Sequence, residues 1–196
     1  MTRIKGQLTT ADYLPIDDYW RLVDGLHNDG SYFWELFCRL AFCTALRGND
    51  VLSLHWTDIL GKEKTTIREP KTNKKRRIRF HSSVVQKIQE LYELLGRPPV
   101  NRFVFYNEET KCHYTLEYVN RTLKKFRVKY RLPIKAFSTH TFRKTFGRHI
   151  WETNGRSSES LIKLCRVFQH SSLDITMVYL GIRQDEIDAV YETIHF

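Results

Sequence analysis

Thr44-Ala45-Leu46-Arg47-Gly48-Asn49-Asp50-Val51-Leu52-Ser53-Leu54 sets one arginine at the seam between two helical patterns. Upstream, residues 33–46 are apolar nearly all round, which predicts a helix buried on every side. Downstream, Gly48 or Asn49 can cap a short helix running to about residue 56. A guanidinium is therefore expected where a buried helix ends. Asp50 lies three residues on, either orienting Arg47 from the next turn or exposed at the helix start. An arginine in this setting commonly serves as a structural ion-pair partner, so its meaning depends on what else the chain supplies.

Two more stretches bear on it. His140-Thr141-Phe142-Arg143 spaces a histidine and an arginine at i and i+3, on one helical face. His170-Ser171-Ser172 is followed, nine residues after the histidine, by Tyr179. Taken singly these are ordinary: a histidine at a helix start often caps it, and Tyr179 among Ile175, Val178 and Leu180 reads as core.

Periodicity fills in the rest. Helical spacing at Tyr19, Leu22, Val23 and Leu26 predicts a helix over 17–26, with a capping signal in Thr9-Thr10-Ala11-Asp12 and a stop at Asn28-Asp29-Gly30. Ser82 is expected to cap a helix over 83–95. Leu116, Val119, Leu123, Phe126 and Tyr130 mark an amphipathic helix, and four more are expected over 141–152, 158–168, 173–181 and 184–193. β-formers at 58–60, 65–68 and 76–80 are separated by Gly61-Lys62 and Pro70-Lys71-Thr72-Asn73, and 103–106 is a further short strand candidate. The expectation is a mainly α domain with a small antiparallel β-sheet (α+β).

The chain has 196 residues, 41% of them hydrophobic and 13% aromatic, enough for one well-packed domain and too apolar for disorder. Its longest apolar run, at 40–46, falls far short of the roughly 20 residues of a membrane span, and Met-Thr-Arg-Ile-Lys-Gly is no signal peptide. A cytoplasmic location is expected. The four cysteines form no C-x-x-C pair and no zinc spacing, and Cys38, Cys43 and Cys165 read as core thiols. The net charge of +10 is concentrated: residues 62–80 hold nine Lys/Arg against two Glu, and residues 121–135 hold seven Lys/Arg and no acid. Clustered lysines and arginines suit a polyanion, because they neutralise phosphates.

Together the three stretches resemble the catalytic domain of the tyrosine recombinase (phage integrase) family. That family carries an arginine after a T-G-L-R-like stretch, a hairpin lysine, H-x-x-R, a further histidine or tryptophan, and a nucleophilic tyrosine. All five recur here in order, from about residue 9 to 194. The resemblance implies a site-specific recombinase that cleaves and rejoins DNA through a 3′-phosphotyrosyl link, without a cofactor. It implies catalytic roles for Arg47, Lys71, His140, Arg143, His170 and Tyr179. Arg47 and Arg143 would stabilise charge developing on the scissile phosphate, and His170 would be a third phosphate contact. Tyr179 would attack, His140 would accept its proton, and Lys71 would protonate the departing 5′-oxygen; Lys74 and Lys75 compete for that last role. Lys74, Lys75, Arg76, Arg121, Lys124, Lys125 and Lys144 are candidate DNA contacts.

The resemblance further implies double-stranded DNA as partner, a homo-tetramer on DNA and a monomer without it. A single catalytic domain over 1–196 is expected, lacking the family's N-terminal core-binding domain. Departures are local: Gly-Asn-Asp follows Arg47, Lys144 stands where a histidine is frequent, and Gln169 replaces the usual glycine before His170. The acidic segment 184–196 would dock in cis or on a neighbouring protomer. Two alternatives share the pattern, namely a DNA-binding regulator that does not cleave and a type IB-like topoisomerase. No P-loop pattern appears, and no obvious carboxylate cluster suggests a two-metal nuclease.

Overall fold

A computed structural model describes residues 11–69 and 75–182. Helix α1 (Ile16–Asn28) begins with Asp17 and Asp18, whose charges favour the positive end of the helix dipole, and buries Tyr19, Leu22, Val23 and Leu26. The chain before it is held elsewhere. Asp12 caps no helix; its Oδ2 accepts the backbone N–H groups of Lys135 and Ala136 at 3.0 and 2.9 Å, and Pro15 occupies the N-cap of α1.

Helix α2 (Tyr32–Thr44) is buried along most of its length, as its composition predicts. It packs against α1, α5 (Ser82–Leu94) and α7 (Thr139–Thr153), so it is the central post of the fold. Its buried Glu35 is neutralised by Arg39 Nε at 2.7 Å, with His27 Nδ1 at 2.8 Å from the other oxygen. The helix ends on Ala45, which adopts a left-handed conformation at φ 48°.

Helix α3 (Gly48–Leu52) starts at once, with Arg47 itself at the N-cap; neither Gly48 nor Asn49 caps it. Residues 56–59 form a short helical turn, α4 (Trp56–Ile59), which takes in most of the 58–60 stretch where a strand was expected. The Asp58 carboxylate accepts the His55 backbone N–H at 2.8 Å, and that local cap outweighs the β-preference of Ile59.

Strands β1 (Lys64–Arg68) and β2 (Lys75–Arg79) form an antiparallel hairpin with Ile67 opposite Arg76 and Thr65 opposite Ile78. Alternation buries Ile67 and Ile78 and leaves Lys64, Thr66, Arg68, Lys75, Arg77 and Arg79 outside. α5 begins one residue earlier than expected, its N-cap being His81, whose ring nitrogen accepts the Ser83 N–H. Of the expected strand at 103–106, Phe103 makes an isolated bridge to His55 and Tyr106 opens the second hairpin, β3 (Tyr106–Asn107) with β4 (Cys112–His113).

Helix α6 (Leu116–Lys129) buries Val119 and Leu123 and turns its basic residues outward. α7 follows, then α8 (Ser158–Phe168) and α9 (Leu173–Leu180). The result is mainly helical with two small antiparallel hairpins. One core joins α1, α2, α5 and α6. A second, smaller core gathers Ala45, Trp151, Leu164, Phe168, Tyr179 and Leu180 where α8 and α9 close on α7. Gly147 permits that closure, since a Cβ there would lie 2.7 Å from the Phe168 ring. Cys38 is buried in the larger core, Cys43 and Cys165 are half-buried, and Cys112 is exposed. Among the described residues no helix is long and apolar enough to cross a membrane.

Candidate active site

The corner at residues 44–47 is where three parts of the chain meet. Because Ala45 turns the backbone left-handed, its carbonyl faces away from α2 and is free to accept. Arg143 of α7 donates to it at 2.7 Å and Arg76 of β2 donates to it at 3.1 Å. Arg76 also donates to the Thr44 carbonyl at 2.5 Å. Arg143 sends its other terminal nitrogen to the carbonyl of Phe168 at 2.6 Å, and its guanidinium lies 4.6 Å from the Phe168 ring centroid. One planar fork thus ties α2, α7 and the end of α8 together.

Arg47 emerges from this corner. It is hydrogen-bonded through one terminal nitrogen to Glu69, at the end of β1, yet keeps a quarter of its side chain exposed. Glu69 is wholly buried, and Arg76 approaches its other oxygen at 3.7 Å. Asp50 is buried as well, rather than exposed at the helix start. Burial and the nearby Glu69 charge raise its pKa above the usual aspartate value, while Arg47 and Arg143 pull it down. The corner therefore collects three guanidiniums and two carboxylates. Burial pulls Arg143 down to about 10, opposed by Tyr179 and assisted by Arg76 and Arg47, so it stays charged near neutrality.

His170 and Tyr179 face the same charges. Gln169, left-handed at φ 53°, ends α8 and directs the chain so that the His170 ring lies 5.2 Å from Phe168 and 5.1 Å edge-on to Tyr179. His170 Nδ1 is 3.0 Å from Thr176 Oγ1, and the Cys165 thiol donates to the carbonyls of His170 and Ser172 at 3.5 and 3.4 Å. Burial depresses the His170 pKa to about 4, with Arg143 and Arg47 adding to the shift, so the ring is neutral at pH 7.

Tyr179 projects from α9 into the second core, 6% exposed. Its hydroxyl is buried and makes no close hydrogen bond among the described residues, with the Arg143 guanidinium beside it. Burial pushes its pKa up to about 12, although Arg143 and Arg47 both favour the phenolate. Arg47, Arg143, His170 and Tyr179, drawn from three separate stretches, thus share one electrostatic neighbourhood.

The other candidates fall at the edges. His140 is partly exposed in the first turn of α7, one turn before Arg143, and its N–H is 3.3 Å from the Ser138 hydroxyl. Asn120 of α6 accepts the Thr139 N–H at 2.9 Å, fixing the same helix end. Lys71 and Lys74 lie outside the described residues, as does the segment 184–196. Lys75, Arg121, Lys124 and Lys125 are exposed. Arg76 and Lys144 are turned inward instead: Arg76 serves the corner, and Lys144 is buried, 5.3 Å from the Tyr179 ring centroid. Sequence reasoning missed Glu69, Thr176 and Cys165. Glu69 had a signal, since alternation from Ile67 puts it on the buried face of the hairpin.

The sequence profile described as the phage integrase family matches residues 13–186. A probable integrase/recombinase of Bacillus subtilis (strain 168), YoeC, is 32% identical over 165 residues, 84% of each chain. The crystal structure of XerA recombinase aligns over 98% of this chain and 68% of its own, with a TM-score of 0.73 at 17% identity. The XerH site-specific recombinase bound to its palindromic difH substrate, a post-cleavage complex, aligns over 94% of this chain and 54% of its own, with a TM-score of 0.69 at 16% identity.

Proposed function

The chain belongs to the phage integrase family, and from that premise we propose that it breaks and rejoins DNA strands through Tyr179. The observation that carries this reading is that Arg143 bonds the carbonyls of Ala45 and Phe168, which share one small core with Tyr179, while Arg47 follows Ala45 by two residues. Two planar, permanently charged forks suit the equatorial oxygens of a phosphodiester that gains negative charge under attack.

The Tyr179 oxygen attacks phosphorus, the bond to the 5′-oxygen breaks, and a 3′-phosphotyrosyl ester forms. The phenol loses its proton, with His140 as acceptor, and the 5′-oxygen gains one from Lys71 of the hairpin turn. Attack by a 5′-hydroxyl then reverses each step, so the energy of the ester suffices for rejoining. In the tautomer with its proton on Nε2, neutral His170 offers that N–H to a phosphate oxygen while Nδ1 stays 3.0 Å from the Thr176 hydroxyl. Lys75, Arg121, Lys124 and Lys125 bind the backbone of duplex DNA on the exposed basic surface. Four copies assemble on DNA and separate without it.

The test is incubation with a pool of nicked duplexes of randomised sequence, on which a cleaved strand cannot be rejoined. A covalent protein–DNA adduct that Tyr179→Phe abolishes is the expected result. Binding without an adduct would favour a DNA-binding regulator, and relaxation of supercoiled DNA by a monomer would favour a topoisomerase.

A further inference from the structure

The corner holds a group that the catalytic scheme above leaves unused. Glu69 is fully buried at the end of β1, just before the hairpin turn, and hydrogen-bonds the Arg47 guanidinium. Burying a carboxylate is expensive unless charged partners compensate it. Its position is fixed from the opposite strand by Arg76, which lies 3.7 Å from its second oxygen and binds the carbonyls of Thr44 and Ala45. The carboxylate therefore sits in a frame that includes the backbone leading directly into Arg47.

We infer that Glu69 is the positioning residue for Arg47: it holds one edge of the guanidinium so that the opposite edge faces the DNA phosphate. An arginine side chain has four rotatable bonds, and a fork held on one side loses little further freedom when it binds on the other. Glu69 has a second consequence. It ties the end of β1 to Arg47. It also offsets one of the three crowded positive charges at the corner.

The inference rests on the strand-cleavage reading, but it can fail separately. The opposite role is conceivable, with Glu69 occupying Arg47 so that DNA must displace it. The two roles differ in sign. A positioning carboxylate predicts that Glu69→Gln cleaves more slowly; a competing one predicts that it cleaves as fast or faster.

The experiment uses the full chain as wild type, Glu69→Gln, Glu69→Asp, Arg47→Lys and the Glu69→Gln/Arg47→Lys pair, with the nicked duplex pool as probe. Adduct formation at saturating DNA is expected to fall at least about tenfold in Glu69→Gln, while affinity for the pool holds within about threefold or tightens as a negative charge is lost. In the Arg47→Lys background, Glu69→Gln should lower the rate no further, because the two act as one element. Glu69→Asp, which keeps the charge, should restore part of the rate and serves if the glutamine variant folds poorly. The Arg47 side-chain Nε–H resonance, assigned by its loss in Arg47→Lys, should broaden in Glu69→Gln. A cleavage rate unchanged or raised in Glu69→Gln, additive losses in the pair, or an unchanged Arg47 resonance would each overturn the inference. Absence of any adduct from the wild type would instead sink the cleavage reading, and the resonance would still decide the role of Glu69.

Discussion

Arg143 donates to the backbone carbonyl of Ala45 at 2.7 Å, across 98 residues of chain. The same guanidinium holds the Phe168 carbonyl at 2.6 Å. Lysine has the charge but not the fork, and its single nitrogen cannot serve both carbonyls together with a phosphate. Arg143→Lys should therefore lower unfolding free energy by about 1–3 kcal/mol, the range for stranding a buried polar group. Adduct formation should fall by about 100-fold or more, the loss typical of one transition-state donor. Denaturant melts and the nicked-duplex assay measure the two effects. Full activity in the lysine variant would show that charge alone matters at this position.

The Tyr179 hydroxyl is buried, with no close hydrogen bond among the described residues and the Arg143 guanidinium beside it. Arg143 keeps its bonds to the Ala45 and Phe168 carbonyls when the hydroxyl is removed, so little is stranded and a desolvated polar group is relieved. Tyr179→Phe should thus melt at the same temperature as the wild type or higher, with a gain of up to about 1 kcal/mol, while forming no adduct. A marked loss of stability would mean that the hydroxyl has a partner in solution.

His170 has a pKa near 4 in the folded protein, against an ordinary value of 6.5, because burial and two arginines oppose its charge. Its folded pKa is the lower one, so between those values the unfolded chain binds more protons than the folded one. Its contribution is fully present above pH 6.5 and is lost as pH falls through about 4. His170→Gln should flatten the pH dependence of stability in that window compared with the wild type. The slope of unfolding free energy against pH checks it, and a slope unaffected by the substitution would contradict the assignment of a neutral ring.

Two non-glycine residues at the site adopt left-handed backbone, Ala45 at φ 48° and Gln169 at φ 53°. Gln169 also buries a side-chain oxygen without a hydrogen bond among the described residues. Gln169→Gly should stabilise the fold by about 1 kcal/mol, since glycine adopts this conformation without strain. Ala45→Gly should be close to neutral, because its methyl group belongs to the smaller core and its loss offsets the relief. Thermal denaturation of the two variants distinguishes these outcomes.

Much of this was legible before any coordinates. Helices α1, α2, α5, α6, α8 and α9 follow from hydrophobic spacing, and Arg47, Arg143, His170 and Tyr179 from order along the chain. The misreadings have local causes. Residues 58–60 looked like a strand because a reverse-reaching Asp58 cap leaves no trace in hydrophobic pattern. Asp12 looked like a cap, yet its partners lie more than 120 residues away. Arg76 was read as a DNA contact from the charge of its segment. Period-2 alternation through Ile78 instead points it, like Glu69 beyond Ile67, at the protein interior. Which buried charges then pair depends on how the hairpin docks on the end of α2, and no single segment encodes that.

On the proposed reading, with Tyr179 as nucleophile, its packing against Phe168 and His170 would set a threshold for reactivity. Bringing that ring partly out of its core costs on the order of 2 kcal/mol of lost apolar burial, which by itself makes an attack-ready conformer roughly thirty times rarer than the resting one. Only a duplex whose contacts repay that deficit would draw the phenol forward. Transient encounters along a chromosome would leave it sheathed, and on that reading the fold would separate searching from cutting.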